Sequence, residues 1–361
     1  MPDTRCALIM TVPVAMIRAA ANSALYATRR CRVRGAWMKA LLVGALTSSP
    51  MPSHADEGGV SFWLPGQYGS LAALPGSPGW SFALGYYHTS VNAGGSRNFV
   101  LGGVITAGLK AHADLILFGP TYVFASPVLG GQLAISVLAF GGNSQGSITA
   151  SLTGPRGNTI SGKRTDDITS FGDLFPTISL KWNRGHHNFM SYLAGNIPVG
   201  AYKSTRLANL GLGHASIDIG GGYTYFDPEK GHELSAVLGF TYNFKNPDTN
   251  YRNGIDGHLD WAFSKFVSKT VHIGAVGYAY QQLTGDSGSG ATLGSFKSRV
   301  FGVGPQLGVI VPIAGRQGYF NMRAYKEFGA RNRAEGWNAW LLFSLALSPP
   351  KHAPQAGLAD R

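Results

Sequence analysis

Charge is scarce in this sequence: Asp, Glu, Lys and Arg together make 13% of its 361 residues, about half the usual quarter. Hydrophobic content is an ordinary 44%, so the chain is not of the charge-rich, weakly apolar kind that stays disordered. Long apolar runs are missing too. None reaches the roughly 18 residues a spanning helix needs, which argues against an α-helical membrane protein. Stretches rich in Ala, Glu, Lys and Leu are absent as well. Glycine, by contrast, is abundant, 50 of 361 residues, close to twice the average of about 7%. Mean hydropathy is +0.02. What remains is a glycine- and aromatic-rich all-β protein, either a large soluble β fold or a transmembrane β-barrel.

Cysteine is nearly lacking. Cys6 and Cys31 are the two in the chain, and both precede a segment that reads as a signal peptide. Residues 38–55, MKALLVGALTSSPMPSHA, offer a basic Lys39, an apolar core and a small-residue cleavage site at Ser53-His54-Ala55. Pro50 and Pro52 break any helix just beyond the core. Residues 1–37 read as an extension upstream of the true start at Met38. A mature chain from Asp56 keeps 23 basic and 17 acidic residues, so half of the apparent +12 charge is lost with the leader. Nucleic acid is therefore not an expected partner. Disulfides, zinc thiolates and a cysteine nucleophile are excluded together.

The mature chain alternates strand-like segments with turns. In residues 232–244, Leu234, Ala236, Leu238, Phe240, Tyr242 and Phe244 share one face, and Glu233, Ser235, Thr241 and Asn243 share the other. Period two over this length suits a tilted strand crossing a bilayer in about 9–11 residues. Thirteen such segments are found: 80–91, 98–109, 113–126, 132–152, 172–182, 188–198, 214–226, 232–244, 257–266, 271–283, 297–311, 318–327 and 337–347. Short turns (183–187, 227–231, 267–270, 312–318) alternate with longer polar loops (153–171, 199–213, 245–256, 284–296, 328–336). That alternation marks an outer-membrane barrel with short periplasmic turns and longer outer loops. Bacterial single-chain barrels use even strand numbers. Merging 98–126 gives twelve strands, the favoured count; adding a strand near Phe62 would give fourteen. Aromatics at segment ends, among them Trp80, Tyr87, Tyr122, Tyr192, Tyr278, Tyr280, Trp337 and Trp340, read as interfacial girdles.

Residues 57–80 (EGGVSFWLPGQYGSLAALPGSPGW), 206–228 (RLANLGLGHASIDIGGGYTYFDP), 240–254, 258–269, 278–291, 296–308 and 334–345 resemble a family of bacterial outer-membrane proteins associated with the meta-cleavage pathway of phenol degradation. That family is distantly similar to the hydrocarbon and fatty-acid transporters of the outer membrane. The resemblance implies a barrel over residues 80–347 in the bacterial outer membrane. It departs at the end of the chain. Pro349 and Pro350 stop the last strand and residues 348–361 read as a disordered tail, where such barrels commonly finish on a terminal aromatic.

No catalytic, metal or cofactor site emerges, and an enzyme is not expected. Gly285-Asp286-Ser287-Gly288 looks like a protease nucleophile stretch, but its flexible setting reads as a loop. His186 and His187 sit in a tight turn with side chains pointing apart. Asp248, Thr249, Asn250 and Asp256 lack the EF-hand spacing. The glycines at 211, 213 and 220–222 do not make a nucleotide-binding turn.

The polar faces are more informative. If the apolar faces meet lipid, Lys181, Asp218, Thr224, Glu233, Asp260, Asn321, Arg323 and Glu327 line the lumen, as a solute pathway or as mutually paired packing. Ahead of the first strand, Phe62, Trp63, Leu64, Pro65, Gly66 and Tyr68 place apolar rings where a periplasmic tail should be polar. In the related hydrocarbon transporters an N-terminal segment enters the barrel, so residues 56–79 are expected to form a hatch or a rim brace.

The expected function is uptake of small hydrophobic, aromatic compounds linked to phenol degradation. Its partners are outer-membrane lipid, lipopolysaccharide, the solute and the barrel-insertion machinery. The alternatives are a structural barrel and an outer-membrane lipid hydrolase. For the latter, His214 with Ser216 and His258 with Asp260 share faces, without a full Ser-His-acid set. A map of the interior separates the readings: an open apolar channel supports uptake, a filled core the structural barrel.

Overall fold

The computed structural model describes residues 61–99, 103–153, 158–291 and 294–347. The expected upstream extension, leader and tail lie outside the described residues. Twelve strands follow one another: β1 (Gly79–Phe99), β2 (Gly103–Val123), β3 (Gln132–Thr153), β4 (Thr159–Arg184), β5 (His187–Asn196), β6 (Ser216–Asp227), β7 (His232–Asn243), β8 (Asp256–Phe266), β9 (Val271–Gln282), β10 (Arg299–Ile313), β11 (Arg316–Arg331) and β12 (Glu335–Ala346). Each pairs antiparallel with the next, and β12 returns to β1 from Ser81↔Ala346 to Asn92↔Glu335. The result is a closed twelve-stranded barrel. Closure leaves no sheet edge within the membrane, where an unpaired amide has no water to bond. No helix among the described residues is long and apolar enough to cross a membrane.

The strands form because their side chains alternate. On β7, Leu234, Leu238, Phe240 and Tyr242 are exposed, while Glu233, Ser235, Thr241 and Asn243 are buried. Outward Leu193, Ile219, Phe263 and Ile273 continue the apolar belt around the wall. Inside-out polarity of this kind is stable only in lipid. The strands are tilted. A rung begun at Gly79, at the foot of β1, passes through Tyr192 and His258 and reaches Tyr280 near the head of β9.

The strand count agrees with the sequence, but three boundaries do not. Residues 103–123 of the segments 98–109 and 113–126 form the single strand β2, while 98 and 99 belong to β1. Residues 159–171, expected as loop, are the outer half of the 26-residue β4. Their outward side chains, Lys163, Thr165, Asp167 and Thr169, are polar, so they carry no apolar alternation to find. The 328–336 loop shrinks to 332–334. As a result β1 to β4, with 21, 21, 22 and 26 residues, stand well taller than the 10–16 residues of β5 to β12.

Glycine explains much of the inner packing. Gly239 has no Cβ, and one there would collide with the Tyr192 hydroxyl and the His258 ring. Gly302 likewise makes room for Tyr278 to lie flat on the wall. At the β10–β11 turn, Ala314 and Gly315 have φ of 49° and 70°. Two consecutive positive φ values fit the twist of a two-residue hairpin.

Candidate functional site

Residues 61–78 do not join the wall. They run down inside it. At the outer end, Arg333 reaches Ser61 Oγ at 3.5 Å. At the periplasmic end, the Lys181 amine donates to the carbonyls of Ala72 (2.7 Å) and Leu74 (3.2 Å). Among the described residues no backbone–backbone hydrogen bond ties this segment to a strand. Side chains of the wall hold it instead.

The upper half is held by rings. Trp63 is 1% exposed. It stacks on His258 (5.3 Å between centroids) and Tyr280 (5.8 Å), with Tyr278 edge-on at 5.4 Å. Its indole N–H donates to Asp260 Oδ2 at 2.8 Å. The Trp340 N–H donates to the Pro65 carbonyl at 2.9 Å. Gly66 follows with φ 78°. Both its left-handed backbone and the Tyr325 ring, 2.5 Å from where a Cβ would stand, require glycine there. Phe62 packs on Phe175 at 5.3 Å, and Tyr68 on Tyr192 at 5.7 Å. Enclosure in the barrel holds the Tyr68 phenol well above its ordinary range, and the charges of Asp218 and Asp260 push the same way.

The lower half is held by polar groups. Glu233 accepts from the Ser70 hydroxyl at 2.6 Å and from the Leu71 N–H at 2.9 Å. Thr224 accepts the Ala73 N–H at 3.1 Å. Gln306 donates to Ser70 Oγ at 2.7 Å. The Ser70 hydroxyl and the Leu71 and Ala73 amides thus each meet a wall side chain, which avoids the 1–3 kcal/mol or so of an unmade bond.

All eight residues expected to face the lumen do lie on inward positions. Asp218, Thr224, Glu233, Asp260, Asn321, Arg323 and Glu327 are buried and Lys181 is half-buried. They are not one cluster. Lys181, Thr224 and Glu233 hold the lower part of the segment. Asp260 holds its upper part. Asp218 pairs with His258 at 3.0 Å and accepts from Thr241 at 2.6 Å. Glu327 accepts from Tyr278 at 2.9 Å. Arg323 is the one buried Lys or Arg among the described residues.

The girdle reading needs correction. Tyr87, Tyr192, Tyr278, Tyr280 and Trp340 point inward and are buried, whereas Trp80, Tyr242 and Trp337 face outward. The aromatic lining was missed because rings suit both an interface and an interior. Strand parity distinguishes them: Tyr278 and Tyr280 share a face with His272 and Gln282.

The other motifs serve structure. Asp286 of the Gly-Asp-Ser-Gly stretch is buried and accepts from Tyr251 and Gln282, both at 2.6 Å. Asp256 accepts from Asn243 and Tyr280 at 2.8 Å. His214 bonds the Leu212 carbonyl and Ser216 donates to Asn243, so the two make no dyad. His272 does reach Ser264 Oγ at 3.1 Å, but its other ring nitrogen meets the Tyr319 hydroxyl, not an acid.

A closed, lipid-faced, twelve-stranded antiparallel wall defines a bacterial outer-membrane β-barrel. The chain belongs to the family described as putative MetA-pathway of phenol degradation, whose model matches residues 93–343. No curated protein matches it. Among solved structures, it is similar to the COG4313 outer membrane channel from Pseudomonas putida F1. The identity is 14% and the TM-score 0.58, over 79% of this chain and 100% of that one. A Pseudomonas aeruginosa FadL homologue aligns with 8% identity and a TM-score of 0.37, over 74% and 89%.

Proposed function

We propose that this barrel is an outer-membrane transporter for small hydrophobic, aromatic compounds, with residues 62–68 as its hatch. The observation that carries the reading is how the segment is held. It fills the interior, yet no backbone ladder bond joins it to the wall. It can therefore move without opening the barrel. The ring-lined upper interior suits aromatic solutes, since faces and edges of Tyr and Trp match those of a ring. The family's link to phenol degradation and the channel from Pseudomonas putida point the same way.

A second reading, a structural barrel, is favoured by the filled interior. Trp63, Tyr278, Tyr280, His258, Val276 and Val300 each keep 2% or less of their surface exposed. One deletion separates the two. Removing residues 62–68 breaks no backbone bond of the wall, and unboiled gel migration reads whether the barrel still closes. In planar bilayers the hatch reading expects its conductance to rise from near zero to a steady open level. In proteoliposomes the parent protein should speed uptake of labelled toluene over empty liposomes. A folded deletion variant that conducts no more than the parent, with no toluene uptake, leaves the structural barrel.

A further inference from the structure

Four cations gather at the outer ends of β10 and β11. Arg299 and Arg331 stand at the heads of the two strands, Lys297 lies just ahead of β10, and Lys326 sits lower on β11. Lys297, Lys326 and Arg331 are exposed. Outward Val303, Met322 and Leu341 lie below them, and Phe328 and Trp337 share their level. The cations therefore begin where the apolar belt stops. Lys326 marks that border: it pairs in register with Val303 on one side and Trp337 on the other. A lysine there lays its stem along apolar surface and lifts its amine to the headgroup level.

A bulge builds the patch. Phe301 pairs with Phe328, but Arg299 pairs with Arg331, so β11 spends three residues where β10 spends two. Gly329, inside the bulge, has φ 68°, and a Cβ there would stand 3.1 Å from the Phe301 ring. Without the extra residue Ala330 would face Arg299, and Arg331 would turn toward the lumen. The bulge re-aims it outward. Two arginines then stand opposite each other, an arrangement that costs stability by itself. No ion pair among the described residues includes any of the four cations. Glu335, on the outward face of β12, accepts the Ala330 N–H at 3.0 Å. Arg299 donates from Nε to the Gly329 carbonyl at 3.4 Å and lies over the Phe301 ring, 5.5 Å from its centroid. Asn332 donates to the Lys297 carbonyl at 2.9 Å, which ties the β11–β12 turn to the head of β10.

We infer that this patch docks the phosphorylated sugar headgroup of lipopolysaccharide in the outer leaflet around the barrel. The inference does not depend on what crosses the lumen. Position selects this occupant first. The patch continues the lipid-facing surface at its outer end, so a lipid whose chains lie on Val303, Phe328 and Trp337 brings its head to the cations. Charge selects it next. A phosphate between Arg299 and Arg331 accepts from both guanidiniums and turns a repulsive pair into charge-assisted hydrogen bonds. Span selects it last. Lys326 and Arg331 lie five residues apart on one strand, roughly 15 Å. A single small phosphate cannot meet both, whereas a disaccharide with a phosphate at each end can. Free phosphate, moreover, has nothing to lay on the rings.

The test is native mass spectrometry of the purified full-length protein in detergent micelles. The micelles carry bisphosphorylated lipid A, the same lipid A stripped of both phosphates, or phosphatidylglycerol. Bisphosphorylated lipid A is expected to bind roughly tenfold or more tighter than either of the others, the worth of a charged hydrogen bond. Arg299→Gln combined with Arg331→Gln should abolish that preference. Arg316→Gln, at the periplasmic end of β11, should leave it intact. Unboiled gel migration reads the folding of each variant. Should the double variant fail to fold, Arg331→Gln alone takes its place, and the preference of the parent protein decides if that fails too. Stripped lipid A bound as tightly as the phosphorylated form, or a preference that survives without the two arginines, overturns the inference. Phosphatidylglycerol bound equally well means that the patch takes any anionic lipid, and overturns it too. So does inorganic phosphate that displaces lipid A at equal concentration, which would mark a site for a free anion.

Discussion

Trp63 and Asp260 are 197 positions apart in the chain, and the indole N–H of one meets a carboxylate oxygen of the other at 2.8 Å inside the barrel. This contact joins the inner segment to the barrel wall.

Trp63→Phe keeps a ring in the stack and removes the donor, which leaves Asp260 without its partner; the expected cost is about 1–3 kcal/mol. Trp63→Ala also empties the stack and should cost about 3–5 kcal/mol. The guanidinium midpoint, followed by circular dichroism, gives the order. Equal midpoints for the parent and Trp63→Ala would show that the indole is not packed as described.

Lys181→Met removes the donor that both the Ala72 and Leu74 carbonyls share. Hydrogen exchange over residues 70–75 should quicken while strands β4 and β5 stay protected. Exchange unchanged in that stretch would mean that Glu233 and Thr224 hold the segment alone.

Gly239→Val forces a branched side chain against Tyr192 and His258 and should destabilise by about 1–3 kcal/mol or more. Gly257→Ala is the control. Its Cβ would meet nothing nearer than 3.4 Å, and a shift within about 0.5 kcal/mol is expected. Thermal midpoints of the gel-mobility change compare the two.

Ala314→Asn should stabilise by about 1 kcal/mol, because alanine is poorly suited to a φ of 49° and asparagine tolerates it. A lower midpoint for this variant would mean that the turn is not of the assumed type.

How much of this was legible depended on what each face had to meet. On β7, lipid on one side and polar packing on the other gave a clean period of two, and the strand was readable residue by residue. The outer half of β4 stands above the membrane with polar groups outward, so nothing separated it from a loop. Tyr278 and Tyr280 were visible as aromatics, but their partner Trp63 arrives from two hundred residues away. The position of Trp63 could be suspected from apolar rings ahead of Pro65. Its neighbours could not be, because strand tilt, not sequence spacing, brings Tyr192, His258 and Tyr280 onto one rung.

The filled interior also bears on the cell that makes this protein. A stoppered barrel adds no leak, however many copies are inserted. On the proposed hatch reading, bile salts and bulky antibiotics, which the lipopolysaccharide leaflet keeps out, find no shortcut through the resting molecule. High expression is therefore compatible with an intact permeability barrier. A strain carrying only the form without residues 62–68 should grow normally in plain medium and become sensitive when such compounds are added.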